Sequence, residues 1–529
     1  MPNRSLLPSL AAEILAPLRD APRVWLTGGA VRDQILGRPV VDLDFAVDGE
    51  ARAFARRVAS RMGANYYELD AERDTGRVLM PASRGGQCLD FARLRGDSIE
   101  DDLAGRDFSI DAMAVSPEWP ERVIDPTGGL QDLRDRRLKL AGPTAIQDDP
   151  LRALRGVRLA AELDLRIDPE TLARIRGAGG SLAAVSPERI RDEWLKVLQS
   201  ERPGRPLRLL DHLGLLSAVS PETESLRGLV QPPPHAFDGL THTLAVIDRL
   251  GDLLLVLAPL PEERRPADLT LGEASLRLGR FRTGLEEYLR CELAPSRNRR
   301  GMLFMAALFH DAGKPGTGQR EAGGRLHFLD HESRGARLAG ERCRALRLSN
   351  AETDFVVSLV LHHMRPEALQ AATALTRRAV YRFFQDTGDA GIGIVLLSLA
   401  DLLGKYAASP PQAEWAGRVG VARALLQAFY EEHEQIVEPR RLLGGEEVMQ
   451  ELGLSPGPIV GRLMEALREA QAEGSVRTHE EALAFLRATL TGMERSRARE
   501  SRSSKKPART RPPRSAGRPQ RDKGPAGQR

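Results

Sequence analysis

The chain is poor in cysteine, in aromatic residues and in long apolar runs. Its three cysteines, Cys88, Cys291 and Cys343, are scattered over 529 residues with no C-x-x-C spacing. That excludes a disulfide framework and a thiolate zinc site, and it points to a reducing compartment. Apolar runs such as LLLVLAPL at 253–260 fall far short of the roughly 20 residues that a bilayer-spanning helix needs. The opening MPNRSLLPSLAAEILAPLRD carries acidic residues and lacks the continuous apolar core of a secretion signal. A cytoplasmic protein with no membrane partner is expected. Aromatic residues make up 5% of the chain while Leu, Ala and Arg abound, a composition that leans towards helix.

The charge is unevenly spread. Residues 495–529 hold thirteen Lys and Arg against Glu500 and Asp522, in a Pro/Ser/Gly-rich setting, and the remaining body is mildly acidic. Such a tail is expected to be disordered, either as a polyanion-binding arm or as a solvated end. The length allows three or four domains at about 150 residues each. Residues 1–140 alternate short apolar runs (Val24–Thr27, Leu43–Val47, Gln87–Leu94, Ile110–Val115) with helical segments, predicting a small-sheet head. From about 141 onwards, helical periodicity takes over, broken by PPP at 232–234, PLPEERRP at 259–266 and SPP at 409–411. The stretch 251–300 has few chemically active residues and reads as a spacer.

Two constellations carry chemistry. The first is VWLTGGAVRDQILGRPVVDLDFAVDG at 24–49. Gly28 and Gly29 end a strand and open a helix, where backbone can approach a ligand and free N–H groups can meet phosphate. Arg32, one turn on, can reach the same anion. Asp42 and Asp44 stand two apart in a strand and so share a face. Two carboxylates there repel unless a divalent cation joins them, and oxygen ligands with a phosphate substrate favour Mg²⁺. Asp90, in a neighbouring apolar run, can complete a triad, with Asp97, Asp101 and Asp102 as competitors. In DDPLRALRG, Asp149, Arg152 and Arg155 are predicted on adjoining faces of one helix, as a base-reading group or an ordinary ion pair.

The ordered blocks GGAVRD, DLD, GRDFSIDAMA, DPTGGLQDL, DDPLRALR and SPERIRDEWLKVL (ending at Leu198) resemble the class II tRNA nucleotidyltransferase and bacterial poly(A) polymerase family. The resemblance implies an α+β architecture, a polymerase-β-like head followed by all-α segments. It implies Asp42 and Asp44 as Mg²⁺ ligands and Gly28, Gly29 and Arg32 at the triphosphate. Arg106 and Asp107 would contact the nucleotide sugar and phosphates. Asp149 and Arg152 would select C or A, with Arg155 beside them, and Glu188, Arg189 and Glu193 would brace the following helices. Three positions depart from the family pattern: Asp111 where Asn is frequent, Asp148 where Glu is usual, and Gly105 where a second Arg is usual. The short link from Asp90 to Arg106 leaves little room for the flexible loop of versions that switch from C to A.

The second constellation is a histidine series. It comprises His242 (LTHTLAVID), His310-Asp311 (LFHDAGKP), His331 (LDHE), His362 with His363 (VLHHMRP) and Asp401 (LADLLGK), all in apolar helical surroundings. Buried without partners such groups are costly, whereas imidazoles and carboxylates can share a metal. The series resembles the HD phosphohydrolase superfamily. The resemblance implies one metal held by His242, His310, Asp311 and Asp401, with His331 and His362 adding a second. Asp311 would bridge, and Lys314 would hold a substrate phosphate. The metal can be Mg²⁺ or a transition ion. His235, His327 and His363 are left over. The block 442–483 resembles the C-terminal helices of HD-containing tRNA nucleotidyltransferases.

The expected organisation is a nucleotidyltransferase head (1–140), a neck for RNA and base recognition (141–230), an HD domain (231–440), a C-terminal helical segment (441–494) and the basic tail. The expected activity is template-independent addition of C and/or A to the 3′ end of tRNA from CTP and ATP, with no obligate protein partner. Poly(A) polymerase is an alternative, as is an HD phosphohydrolase using the head to bind RNA.

Overall fold

The computed structural model describes residues 6–15, 22–40, 42–84, 86–258, 269–321, 323–324 and 326–503. The head sheet runs β1 (Val24–Thr27), β2 (Asp42–Val47), β3 (Asn65–Asp70), β4 (Thr75–Leu79), β5 (Cys88–Arg93), β6 (Ala114–Val115) and β7 (Val123–Ile124), in the spatial order β3-β4-β5-β2-β1-β6-β7. Only the β2–β5 pair is parallel, with Asp42 beside Cys88 and Asp44 beside Asp90. The other pairs are antiparallel. Alternation along β2 sends Leu43 and Phe45 into the core and leaves Asp42 and Asp44 exposed. The helix Ala51–Met62 covers the apolar face, where Phe45 stacks on Phe91 at 4.8 Å and Phe54 meets Phe91 edge-on at 5.5 Å. Burying each such ring contributes about 2–3 kcal/mol.

The run Ile110–Val115 is not one strand. Ser109–Asp111 forms a 3₁₀ turn and only Ala114–Val115 pair in the sheet. The hairpin β3–β4 lacks an apolar alternation strong enough to read from sequence. The link from Asp90 to Arg106 is fully structured: β5 ends at Arg93, Ser98 caps the helix Ile99–Ala104 through the Asp101 N–H, and Arg106 follows.

Helices Leu151–Glu162, Pro169–Arg176, Pro187–Gln199 and Gly204–His212 come next. Leu151–Glu162 lies against the head at Gly156, where a Cβ would sit 2.7 Å from the Phe108 ring. A buried ion network supports it. Glu193 takes Arg158 at 2.6 Å and lies 3.8 Å from Arg155, as a bracing residue should. Glu188 is half exposed and, among the described residues, its ion pair is with Arg347, at 4.0 Å.

Further along lie Gly239–Leu257, Arg299–Phe309, His331–Ala345, Asn350–His362, Gly391–Lys405 and Gln412–Tyr430. Close backbone approaches define this bundle: a Cβ on Gly404 would sit 2.6 Å from Val246, and one on Gly313 2.0 Å from the His331 carbonyl. The stretch expected as a spacer instead supplies core, burying Leu278, Phe281, Leu285, Tyr288 and Leu289; PLPEERRP lies outside the described residues. Residues Arg377–Lys405 are long and apolar enough to cross a membrane, but 89% of their most apolar window is buried in protein.

Contacts divide the chain into two units, Met1–Leu375 with Phe383–Glu431, and Thr376–Arg382 with Glu432–Arg529. The second is built on Gly445–Leu452, Pro458–Glu473 and His479–Ser503, around Leu443, Val448, Leu463, Leu467 and Leu486. Within it Arg378 pairs with Glu469 at 2.8 Å and Tyr381 donates to Glu465 at 3.0 Å. Its last helix runs to Ser503, into the segment expected as a disordered tail; 504–529 lie outside the described residues.

Candidate functional site

The head site sits where β1 ends beside the starts of β2 and β5. β1 stops at Thr27, and Gly28 adopts φ 74°, a left-handed conformation that favours glycine. The helix Gly29–Leu36 follows, its first N–H groups without intrahelical acceptors. A Cβ on Gly28 would lie 3.0 Å from Arg106 Nη1 and 3.6 Å from Asp44 Oδ2, so turn, arginine and carboxylate converge within one ligand's reach. Arg106 is held by Thr27 Oγ1 at 2.9 Å and Asp102 at 3.1 Å.

Asp42 and Asp44 lie side by side, and Asp90 joins them from β5. Solvent reaches the Asp44 carboxylate on one side while protein packs round the rest. Burial first, and the Asp90 charge next, push its pKa up to about 6. Asp42 is raised for the same two reasons. Asp42 and Asp44, crowded by the Asp90 charge, are what a divalent cation would relieve, so these residues fit Mg²⁺. Asp90, however, already takes two hydrogen bonds of 2.7 Å from Arg77, on β4 directly opposite. No sequence motif marks Arg77.

Other expected nucleotide contacts are engaged inside the protein. Arg32 does not point at an open anion site. It pairs with Asp33 at 2.9 Å and Asp111 at 2.6 Å, because a largely buried guanidinium needs carboxylates. It thus lies under the Gly28–Gly29 turn and fixes its shape. Asp107 is buried and bonded to Arg155 at 2.7 Å, so the two expected contacts are paired with each other in this structure. Asp149 is not on the helix with Arg152: the helix begins at Leu151, and Asp149 precedes it in extended conformation, paired with Arg189 at 2.6 Å. Arg152 donates at 3.2 Å to the carbonyls of Gly105, Arg106 and Ala145, which ties the proposed base reader to the Arg106 segment.

The second site is a buried histidine–carboxylate cluster. Two groups each bring their ligand atoms within 4.8 Å of one another: His242, His310 and Asp401, and Asp311, His331 and His363. His242 Nε2 lies 3.1 Å from Asp401 and 3.4 Å from Asp311, and His310 Nε2 lies 3.3 Å from Asp311, so Asp311 stands between the groups. Each imidazole is oriented from behind by a carbonyl on Nδ1: His242 by Gly404 at 3.2 Å, His310 by Ala307 at 2.8 Å, His331 by Phe328 at 2.8 Å and His363 by Val360 at 2.7 Å. Donation through Nδ1–H leaves each Nε2 facing inward, free to bind a metal when the ring is neutral, the second-shell arrangement typical of metal-binding histidines. The Nε2 atoms of His331 and His363 are buried with no hydrogen-bond partner. These residues fit a pair of divalent ions.

One expectation is overturned. His363, not His362, belongs to the cluster. His362 is half exposed on the outer side of the helix, whereas His363 is 3% exposed, and one helical step of 100° separates them. Burial, then the nearby His310 charge, push His363 down to about 3. Burial works against ionising Asp311 and Asp401, yet His310 and Lys314 around the first, and Lys405 and His242 around the second, hold both well below the usual carboxylate range. Lys314 is not free for a phosphate: its ammonium lies 2.6 Å from both Asp311 and Gln231. Sequence reasoning missed Gln231 and Lys405, the latter 3.3 Å from Asp401 and 2.8 Å from Glu367.

Comparison with known proteins places both regions of the chain in known families. The family described as Poly A polymerase head domain matches residues 24–139, that described as Probable RNA and SrmB-binding site of polymerase A matches 164–226, and the HD domain matches 273–402. The A-adding tRNA nucleotidyltransferase of Deinococcus radiodurans is 34% identical, over 88% of this chain and 95% of that protein. The CC-adding enzyme of Thermus thermophilus is also 34% identical, over 87% and 92%. A solved CCA-adding enzyme in complex with ATP shares the fold at a TM-score of 0.58 and 19% identity, covering 91% of this chain and 94% of its own. The chain therefore belongs to the tRNA nucleotidyltransferase family.

Proposed function

We propose that the chain extends the 3′ end of tRNA with C or A, taking nucleotides from CTP or ATP at the head. The observation that supports this most directly is the convergence of Asp42, Asp44 and Asp90 beside Gly28 and Arg106. Bound by Asp42 and Asp44, Mg²⁺ supplies charge neutralisation at the triphosphate and at the attacking oxygen. The Gly28–Gly29 turn accepts phosphate oxygens at close range, and Arg106 Nη1 adds a guanidinium at the same edge. Asp90, clamped by Arg77, sets the charge beside Asp44. Asp149 and Arg152 read the incoming base.

Addition of C alone or A alone, rather than the full CCA, is favoured by the short link from β5 to Arg106, in which residues 94–98 are the sole irregular stretch before the helix Ile99–Ala104, and by the names of the two relatives matched along nearly their whole length. The head is assigned to 1–140, the neck to 141–230, a metal-dependent phosphohydrolase to 231–440 and the C-terminal helices to 441–494, followed by the basic tail.

The test is incubation with tRNAs ending at the discriminator base, at C and at CC, with each nucleotide singly and product sequencing. One or two C, or a single A, is the expected product. Long ATP-only tails on unrelated RNA would move the assignment to polyadenylation. Asp42→Ala and Asp44→Ala should each abolish incorporation with unchanged circular dichroism.

A further inference from the structure

The histidine cluster has one more inward-looking ring than its two ligand groups use. His235 lies in the strap Gly228–Gly239 that crosses the cluster. The strap is closed on itself by Gly239 N–H on Leu229 O at 3.0 Å and pinned to the bundle by Ala236 N–H on Lys405 O at 2.9 Å. His235 Nδ1 is bonded to Pro232 O at 3.0 Å, the same rear support that orients the four cluster histidines. Its Nε2 is buried and has no hydrogen-bond partner. The ring meets His242 edge-on at 5.1 Å, on the side where His242 and Asp401 face each other. Yet His235 belongs to neither group whose ligand atoms come within 4.8 Å of one another. A fixed acceptor one layer outside a ligand set is placed to receive a proton-bearing oxygen rather than to hold the ion itself.

We propose that His235 orients the water that attacks phosphorus in the histidine cluster, accepting its hydrogen bond at Nε2. This rests on the phosphohydrolase reading of residues 231–440. In the step concerned, the water oxygen forms a bond to phosphorus as the ester P–O bond breaks. One water proton stays on the new phosphate oxygen and the other ends on the leaving alcohol. The strap also carries Gln231, which holds the Lys314 ammonium that lies beside Asp311, so one segment sets both the water acceptor next to His242 and the cation next to Asp311.

The experiment uses the full chain loaded with Co²⁺, comparing wild type with His235→Ala and His235→Gln. Two readouts are taken: Co²⁺ content with its visible spectrum, which responds to the oxygen neighbours of the ion, and hydrolysis of p-nitrophenyl phosphate and bis(p-nitrophenyl) phosphate. His235→Ala should keep the wild-type Co²⁺ content but change the spectrum. Its kcat should fall by about 10–100-fold with KM within about threefold. His235→Gln, which returns an acceptor near Nε2, should recover part of both. Loss of Co²⁺ from His235→Ala, an unchanged spectrum, or an unchanged kcat overturns the proposal. Wild-type protein that binds Co²⁺ but cleaves neither ester overturns the phosphohydrolase reading instead, and the spectral comparison still decides whether His235 touches that oxygen.

Discussion

Asp44 shows how a single side chain couples the head to pH. Its carboxyl stands at about 6 in the folded metal-free chain against an ordinary 3.8, so the folded state holds the proton more tightly than the unfolded chain does. The resulting stabilisation is fully present below about pH 3.8 and is lost as pH rises through about 6. Metal-free Asp44→Asn should therefore melt higher than wild type at pH 7–8, with the gap shrinking below pH 6. Mg²⁺ should raise the melting temperature of wild type by more than that of the variant, which keeps only the histidine cluster for the ion. A gap that stays constant from pH 5 to 8 would show that the carboxyl titrates in its ordinary range. At this scale, residue types were legible in the sequence: paired aspartates on an apolar strand announce themselves. Their partners were not. Arg32, Asp107 and Lys314 carry the right chemistry for phosphate or sugar, but each is engaged inside the protein by a group far along the chain, Asp111, Arg155 and Gln231 respectively, and no local pattern reveals that.

At the scale of the element, the helix ending in His362 decides which imidazole reaches the cluster. Two adjacent histidines offer equal chemistry, and only the helix's rotation relative to Asp311 separates them. His363→Ala should lower bound Co²⁺ by about one equivalent per chain, measured by metal analysis after dialysis, while His362→Ala should retain it. Equal loss from both would mean that the helix end is rearranged when metal binds. The helix Pro187–Gln199 makes a second case. Glu193→Ala removes the buried carboxylate 2.6 Å from Arg158, which keeps only the more exposed Glu162, while Arg155 keeps Asp107; the cost is expected at or below the roughly 3–5 kcal/mol of a broken buried pair. A drop of several degrees in the first thermal transition is expected, with tRNA extension still measurable at low temperature. The strands β1, β2 and β5 were readable because apolar runs bounded by turn residues mark them. The hairpin β3–β4 was not, since much of β3 is exposed and polar, and Arg77 was hidden with it.

For the whole molecule, the order of blocks along the chain identified the architecture, since six motifs in sequence constrain topology more tightly than any one of them. What order does not convey is proximity, such as the strap from Gly228 to Gly239 lying over a cluster whose last ligand is Asp401. Charge distribution belongs to this scale as well. A basic terminus on an acidic body predicts that a chain ending at Ser503 binds tRNA more weakly at low salt and with a shallower dependence of log K on log salt, measured by filter binding. Equal slopes would assign the tail to solubility alone.

The contact between Gly156 and Phe108 has a consequence for fidelity. Only a hydrogen atom at position 156 lets the helix bearing Arg152 press against the head, and that same arginine grips the Gly105 and Arg106 carbonyls. The distance between the arginine proposed to choose a base and the residues proposed to transfer it is thus a packing distance. Gly156→Ala would wedge the two apart at about 1–3 kcal/mol of overpacking. Errors in nucleotide choice should then rise before the rate of transfer falls, so that the enzyme becomes careless while it is still quick.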